Sequence, residues 1–179
     1  TTALIENPDL VLLDVRETPE LEAGYIEGSI HIPIREIPAN LDLLPDLDAE
    51  IVVVCQGGAR AMLAQSALNV LGYDNAKTLK GGFGAWAGED YPFVTDPLPE
   101  PTRGEAPEFN ADVFAAIDDY LSNLPEGFDF VRAPGLAAEL VETDITLIDV
   151  RTQNEWDNVG YIAGASLVPI QDFMSMQSA

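Results

Sequence analysis

The chain's single cysteine, Cys55, stands directly before Gln56-Gly57-Gly58-Ala59-Arg60. Ahead of it, Ile51 to Val54 is a short, β-branched apolar run that reads as a buried strand, and Ala59 to Leu71 reads as a helix ending at Gly72. A thiol therefore falls at the carboxyl end of a strand, where open α/β sheets hold their ligands. The paired glycines let the loop turn backbone N–H groups inward, and the helix start adds the positive end of its dipole. Such an anion cradle favours thiolate over thiol and makes the sulfur nucleophilic near neutral pH, while Arg60 supplies a charge for a negative substrate. The competing reading is an inert, buried strand-end cysteine.

Asp14 and Arg16 follow another apolar run and read either as partners in catalysis or as a structural pair. Arg16, with Asp14 beside it, is a secondary candidate for the pocket rim. His31, the only histidine, sits beside a proline in Ile30-His31-Ile32-Pro33 and reads as structural. Phe83 and Trp86 read as core. One cysteine excludes an intramolecular disulfide, and one cysteine with one histidine cannot build a Cys/His zinc cage, so no metal is expected.

Charge narrows the function further. Thirty-one acidic against eight basic side chains give a formal net charge of −23 over 179 residues, a field that repels nucleic acid and anionic lipid. No apolar run approaches the roughly 20 residues of a membrane helix. The acidity is uneven: residues 51–88 carry +2 and the remainder −25. The acidic surplus reads as a solvated face, and the exempt segment contains the Cys55 loop, where an anion would bind. Such acidity suits a cytoplasm, the first expectation, or an exported or periplasmic protein. The chain opens on Thr1 without a basic, apolar leader, so either a leader has been removed or the sequence is an internal piece.

The elements that must position these residues alternate. Leu10 to Val15 is a strand. Thr18-Pro19-Glu20 opens a short helix with Thr18 as its cap, and Ile30 to Ile34 is a second strand. Leu41 to Leu47 is a short helical or turn region. After the strand Ile51 to Val54, the helix carries Leu63, Ala67, Val70 and Leu71 at helical spacing; Lys77 to Leu79 is a fourth strand, and Gly81 to Trp86 leads into another helix. This pattern predicts an α/β fold, a parallel sheet with helices on both faces.

The chain also repeats itself. Leu13-Asp14-Val15-Arg16 returns as Ile148-Asp149-Val150-Arg151, and Gly24-Tyr25-Ile26-Glu27-Gly28 as Gly160-Tyr161-Ile162-Ala163-Gly164, with the offset growing from 135 to 136. So long a period implies domain duplication: 1–94 as the first domain, 95–127 as an acidic, Pro-rich linker and connecting helix, and 128–179 as the beginning of a second copy. Five of the thirteen prolines lie between Pro92 and Pro107. Asn110 caps a helix of about 14 residues whose Val113, Ile117, Tyr120, Leu121 and Leu124 share a face before Pro125 and Gly127 end it. Phe128 to Ala133 reads as a strand able to complete the first domain's sheet.

Taken in order, Leu13-Asp14-Val15-Arg16, Gly24 to Pro33, the Cys55 to Arg60 loop and Gly81-Gly82-Phe83-Gly84-Ala85-Trp86 resemble the successive signatures of the rhodanese-like sulfurtransferases. The resemblance covers residues 1 to about 90 without the usual opening strand, and Phe128 to about Phe173 as the start of a second such domain, as in a piece of a tandem protein. It implies that Cys55 is the catalytic residue, attacking the outer sulfur of a small anionic donor such as thiosulfate to carry a persulfide. Cyanide or a thiol then accepts the sulfur. The amides of Gln56, Gly57, Gly58, Ala59 and Arg60 would hold the sulfur anion, with no cofactor. Cys55 and Arg60 make C-x4-R, the family's short loop, where related phosphatases carry one residue more. Gln56 and Ala61 depart from the residues thiosulfate-using members often have there, which leaves open a non-catalytic binding or redox-sensing module. Position 136 residues beyond Cys55 lies past Ala179, so no second nucleophile is expected. Oligomeric state is not legible.

Overall fold

The computed structural model describes Asn7 and residues 9–173. The chain divides into two compact units, one running to Phe128 and the other beginning at Asp129.

In the first unit, β1 (Val11–Asp14), β2 (Ile30–His31), β3 (Ile51–Val54) and β4 (Ala76–Thr78) form one parallel sheet in the order β2-β1-β3-β4. The period of two along a strand sorts its side chains between two layers. Leu13, Val15, Ile51, Val53 and Cys55 face one buried cluster, which α1 (Ala59–Leu71) covers with Ala61, Ala64, Leu68 and Leu71. Leu12 and Val54 face the other, with Ile26 and with Phe83 from α2 (Gly82–Gly88). Both faces are thus covered, which is why these strands read as nearly continuous apolar runs. The small alanines on the inner face of α1 let the helix lie close to the sheet, and Leu68, fully buried, contributes about 1.5–3 kcal/mol.

From β1 the chain steps to β2 on one side and then returns to place β3 on the other. The carboxyl ends of β1 and β3 therefore flank the point where strand order reverses, the usual ligand position in such sheets.

Several local expectations need correction. The second strand ends at His31, because Pro33 turns the chain into a 3₁₀ helix, Ile34–Glu36. Residues Thr18–Ala23 also form a 3₁₀ helix. Its cap is Glu17, not Thr18: the Glu20 carboxylate accepts the Glu17 N–H at 2.9 Å. Val70 is 62% exposed and Tyr120 48%, so neither belongs to the core face of its helix.

The stretch after Val94 packs on the first unit. Tyr25 and Val94 exchange backbone hydrogen bonds at 2.9 Å, and Arg103 donates to Asp42 at 2.7 and 2.8 Å and to Asn40 at 2.8 Å. Asn110 Oδ1 caps α3 (Ala111–Ser122), accepting the Asp112 and Val113 N–H groups at 3.1 Å. Leu121 is fully buried and Leu124 nearly so, in the core cluster that α1 also covers. The expected strand at Phe128 to Ala133 is absent. Gly127 and Phe128, both at positive φ, turn the chain, and α4 (Ala133–Glu142) then begins with Pro134 in its first turn. No strand from this segment joins the sheet.

In the second unit, β5 (Ile148–Asp149) pairs in parallel with β6 (Ser166–Leu167), and α5 (Gln153–Val159) starts at a Thr152–Glu155 capping box. None of its described residues is buried. Among the described residues, no helix is long and apolar enough to cross a membrane.

Candidate active site

Cys55 leaves β3 on the side facing α1 and is only 1% exposed. Gly58, at φ +104°, caps α1 in the left-handed region and donates its N–H to Cys55 Sγ at 3.1 Å. A glycine cap brings no side chain, so no side-chain oxygen occupies the first-turn amides of α1. Gln56, Gly57 and Ala59 lie on the surface around the sulfur.

The loop's orientation is enforced from the far side. Phe83 N–H donates to the Cys55 carbonyl at 2.8 Å and Gly84 N–H to the Gln56 carbonyl at 2.9 Å. Both carbonyls are thereby held toward the start of α2, while the Gly58 N–H points to the sulfur. The fit permits no side chain: a Cβ on Gly82 would lie 2.1 Å from the Cys55 oxygen.

Arg60, on the first turn of α1, forks onto Glu20 with contacts of 2.6 and 2.7 Å. Its side chain is 13% exposed and that of Glu20 31%. The hydrogen bond to Arg60 holds the Glu20 carboxyl below its ordinary range, outweighing the opposing effect of burial. Reciprocally, Glu20 foremost, and more weakly the charge on Cys55, raise the Arg60 guanidinium. Phe128 lies alongside, its ring centroid 5.5 Å from the Arg60 guanidinium and 4.5 Å from that of Arg35. Arg35 in turn pairs with Glu17 at 2.8 Å.

Asp14 and Arg16 are both fully buried and joined at 2.6 Å. Arg16 also donates to the Gly24 carbonyl at 3.0 Å and lies 4.2 Å over the Phe83 ring, while its own carbonyl is 2.8 Å from His31 Nε2. The pair ties the end of β1 to the 3₁₀ helix that carries Glu20. Fully buried, with its donors spent on Asp14 and the Gly24 carbonyl, Arg16 is not exposed on a pocket rim as expected. A cavity of about 460 Å³ opens between β2 and residues 98–102, and no residue of the Cys55 loop lines it. Among the described residues, no three His, Cys, Asp or Glu side chains converge as a metal site requires.

The family model falls on this first unit. A model of the rhodanese-like domain matches residues 1–89. A sulfurtransferase of Allochromatium vinosum is 33% identical over 91 residues, covering 51% of this chain and 84% of the relative. The chain belongs to the rhodanese-like family. The putative sulfurtransferase YtwF of Bacillus subtilis is 37% identical over 84 residues, 47% of this chain and 80% of that protein. A solved structure of a rhodanese-related protein from Thermoplasma volcanium is 38% identical, covering 53% of this chain and 94% of that one with a TM-score of 0.48.

Sequence reasoning placed the rhodanese-like loop but missed Glu20, Arg35 and Phe128 as its neighbours. One signal was available for Glu20: the Arg16…Glu20 spacing returns as Arg151…Glu155 in the second unit. Arg35 and Phe128 leave no local signal.

Proposed function

We propose that this protein is a sulfurtransferase whose catalytic residue is Cys55. The observation that carries the reading is the Gly58 N–H aimed at Cys55 Sγ at 3.1 Å, at the start of a helix whose first-turn amides have no side-chain cap. Oriented amides stabilise negative sulfur before any substrate arrives. The Cys55 thiolate attacks the outer sulfur of a donor such as thiosulfate, a sulfur–sulfur bond forms, and the donor's own S–S bond breaks with its electron pair leaving on sulfite. The Cys55 persulfide anion then gives that sulfur to cyanide, forming thiocyanate, or to a thiolate, forming a new persulfide, and the Cys55 thiolate returns. Charge and atoms balance in both steps without a cofactor. The amides of Gln56 to Arg60 hold the anion, and Asp14 and Arg16 position the framework beneath it.

The second unit is proposed as part of a further rhodanese-like copy. In support, Arg151 meets Asp149 at 2.6 Å and the Gly160 carbonyl at 2.8 Å, repeating the contacts of Arg16 with Asp14 and Gly24. A non-catalytic, partner-binding or redox-sensing role is the second reading, favoured by the near-complete burial of Cys55.

Intact mass of the full chain after incubation with a sulfane-sulfur donor separates the two. Gain of one sulfur, removed by cyanide and absent in Cys55→Ser, is expected. An unmodified wild-type chain with every donor tried leaves only the second reading.

A further inference from the structure

Arg60 is the one cation of the Cys55 loop, and its fork is already occupied by Glu20. A guanidinium has five N–H donors, and the two shortest are committed here to a carboxylate. A bidentate pair of this kind is neutral as a unit, so an incoming anion meets a cation whose charge is largely cancelled. Glu20 supplies most of the cancellation, with only a weaker pull from Glu17. Glu17 pairs with Arg35, and Asp14 with Arg16, which leaves Glu20 as the carboxylate that faces the loop's arginine. Glu20 is also fixed in place, since it accepts the Glu17 N–H at the start of its 3₁₀ helix. Its side chain is 31% exposed, so its charge is not sealed away from an approaching donor.

We propose that Glu20 is a specificity-determining residue of the Cys55 site: by holding Arg60 it sets the site against dianionic sulfur donors and in favour of persulfides of lower charge. The inference rests on the sulfur-transfer reading and names the donor class for it. An alkyl hydropersulfide, R–S–S–H, suits such a site. The Cys55 thiolate attacks its terminal sulfur, the Cys55–S bond forms as the donor S–S bond breaks, and the electron pair leaves on R–S, which takes up the donor's proton. The sulfur is transferred with no net oxidation or reduction. Thiosulfate brings two negative charges to the same position and meets repulsion from Glu20 that a neutral or singly charged donor largely escapes.

The test compares donors, because a merely structural role for Glu20 would slow both alike. Rates of Cys55 persulfide formation are measured on the full chain by intact mass, at limiting thiosulfate and at limiting alkyl hydropersulfide. Glu20→Gln keeps the length and the acceptor for the Glu17 N–H while removing the charge. The thiosulfate-to-hydropersulfide rate ratio is expected to rise about tenfold, the size of one unit charge removed from beside a dianion in a water-exposed site. Glu50→Gln takes the same charge from the opposite end of β3, where Glu50 faces Lys77, and is expected to leave the ratio within about twofold, as a charge without a direct part in the site should. Glu20→Met, of similar length and uncharged, gives the same readout if the Gln variant fails to fold. An unchanged or lower ratio in the Glu20 variants, with wild type still loaded, overturns the proposal alone. Wild type loaded by neither donor removes the sulfur-transfer reading and the proposal with it.

Discussion

Substituting Gly82 with alanine tests the clamp that orients the Cys55 loop. Gly82 sits at φ +60°, and its new Cβ would lie 2.1 Å from the Cys55 oxygen and 2.8 Å from the Gln56 carbonyl carbon. Two costs add. A left-handed alanine costs about 1–2 kcal/mol. Forcing a methyl group against backbone costs about 1–3 kcal/mol more, since the neighbours are held by hydrogen bonds and cannot swing aside. Gly82→Ala should therefore lose about 2–5 kcal/mol. Gly28 is the matched control: it has φ +82° with nothing within 4 Å of its Cβ position, so Gly28→Ala should lose only about 1–2 kcal/mol. Urea unfolding of the full chain gives the two losses from their midpoints and slopes. The rate of Cys55 alkylation should change in Gly82→Ala and hold in Gly28→Ala, because only the first moves the Cys55 carbonyl. Equal losses in the two variants, with equal alkylation rates, would show that close packing of α2 on the loop is not what fixes it.

Two further outcomes follow from buried groups. Arg16→Met leaves the Asp14 carboxylate buried without its partner and should cost about 3–5 kcal/mol, while the Asp14→Leu/Arg16→Met pair should lose less than the single change; urea midpoints check both. Burial, with a smaller push from Asp46, raises the Tyr73 hydroxyl to about 12 from its ordinary 10. The folded chain thus keeps a proton that the unfolded chain releases, so this contribution is complete below pH 10 and is lost as pH rises toward 12. Tyr73→Phe should flatten the fall in stability over that interval, as seen by unfolding at fixed urea across a pH series.

The parts of this fold that were legible in the sequence are those built by neighbours in the chain. Ile51 to Val54 could hardly be other than a buried strand, and the glycines after Cys55 announced a tight loop. The recurrence of Asp14-Val15-Arg16 at Asp149-Val150-Arg151 was legible too, and both segments make the same ion pair. What escaped was decided at long range. Arg60 finds Glu20 forty residues back, and Arg35 reaches the carbonyl of Leu124 eighty-nine residues on. Helical spacing put Val70 and Tyr120 inward, but the sheet and α1 were already covered on those sides. The strand expected at Phe128 to Ala133 failed because Gly127 and Phe128 turn at positive φ at one end and Ala133 already opens a helix at the other, and apolar composition does not outvote both.

The clamp on the Cys55 loop has a consequence for the timing of synthesis. The groups that hold the Cys55 and Gln56 carbonyls come from Phe83 and Gly84, nearly thirty residues later, and they depend on β4, where Leu79 N–H reaches the Val53 carbonyl at 2.9 Å. A chain emerging from the ribosome therefore carries its thiol past the exit before anything can aim backbone amides at it. Until β4 and α2 dock, the Cys55 and Gln56 carbonyls have no partners to hold them. The loop is therefore set late, by long-range docking and not by its own glycines alone, and a chain halted before Gly84 leaves both carbonyls unheld.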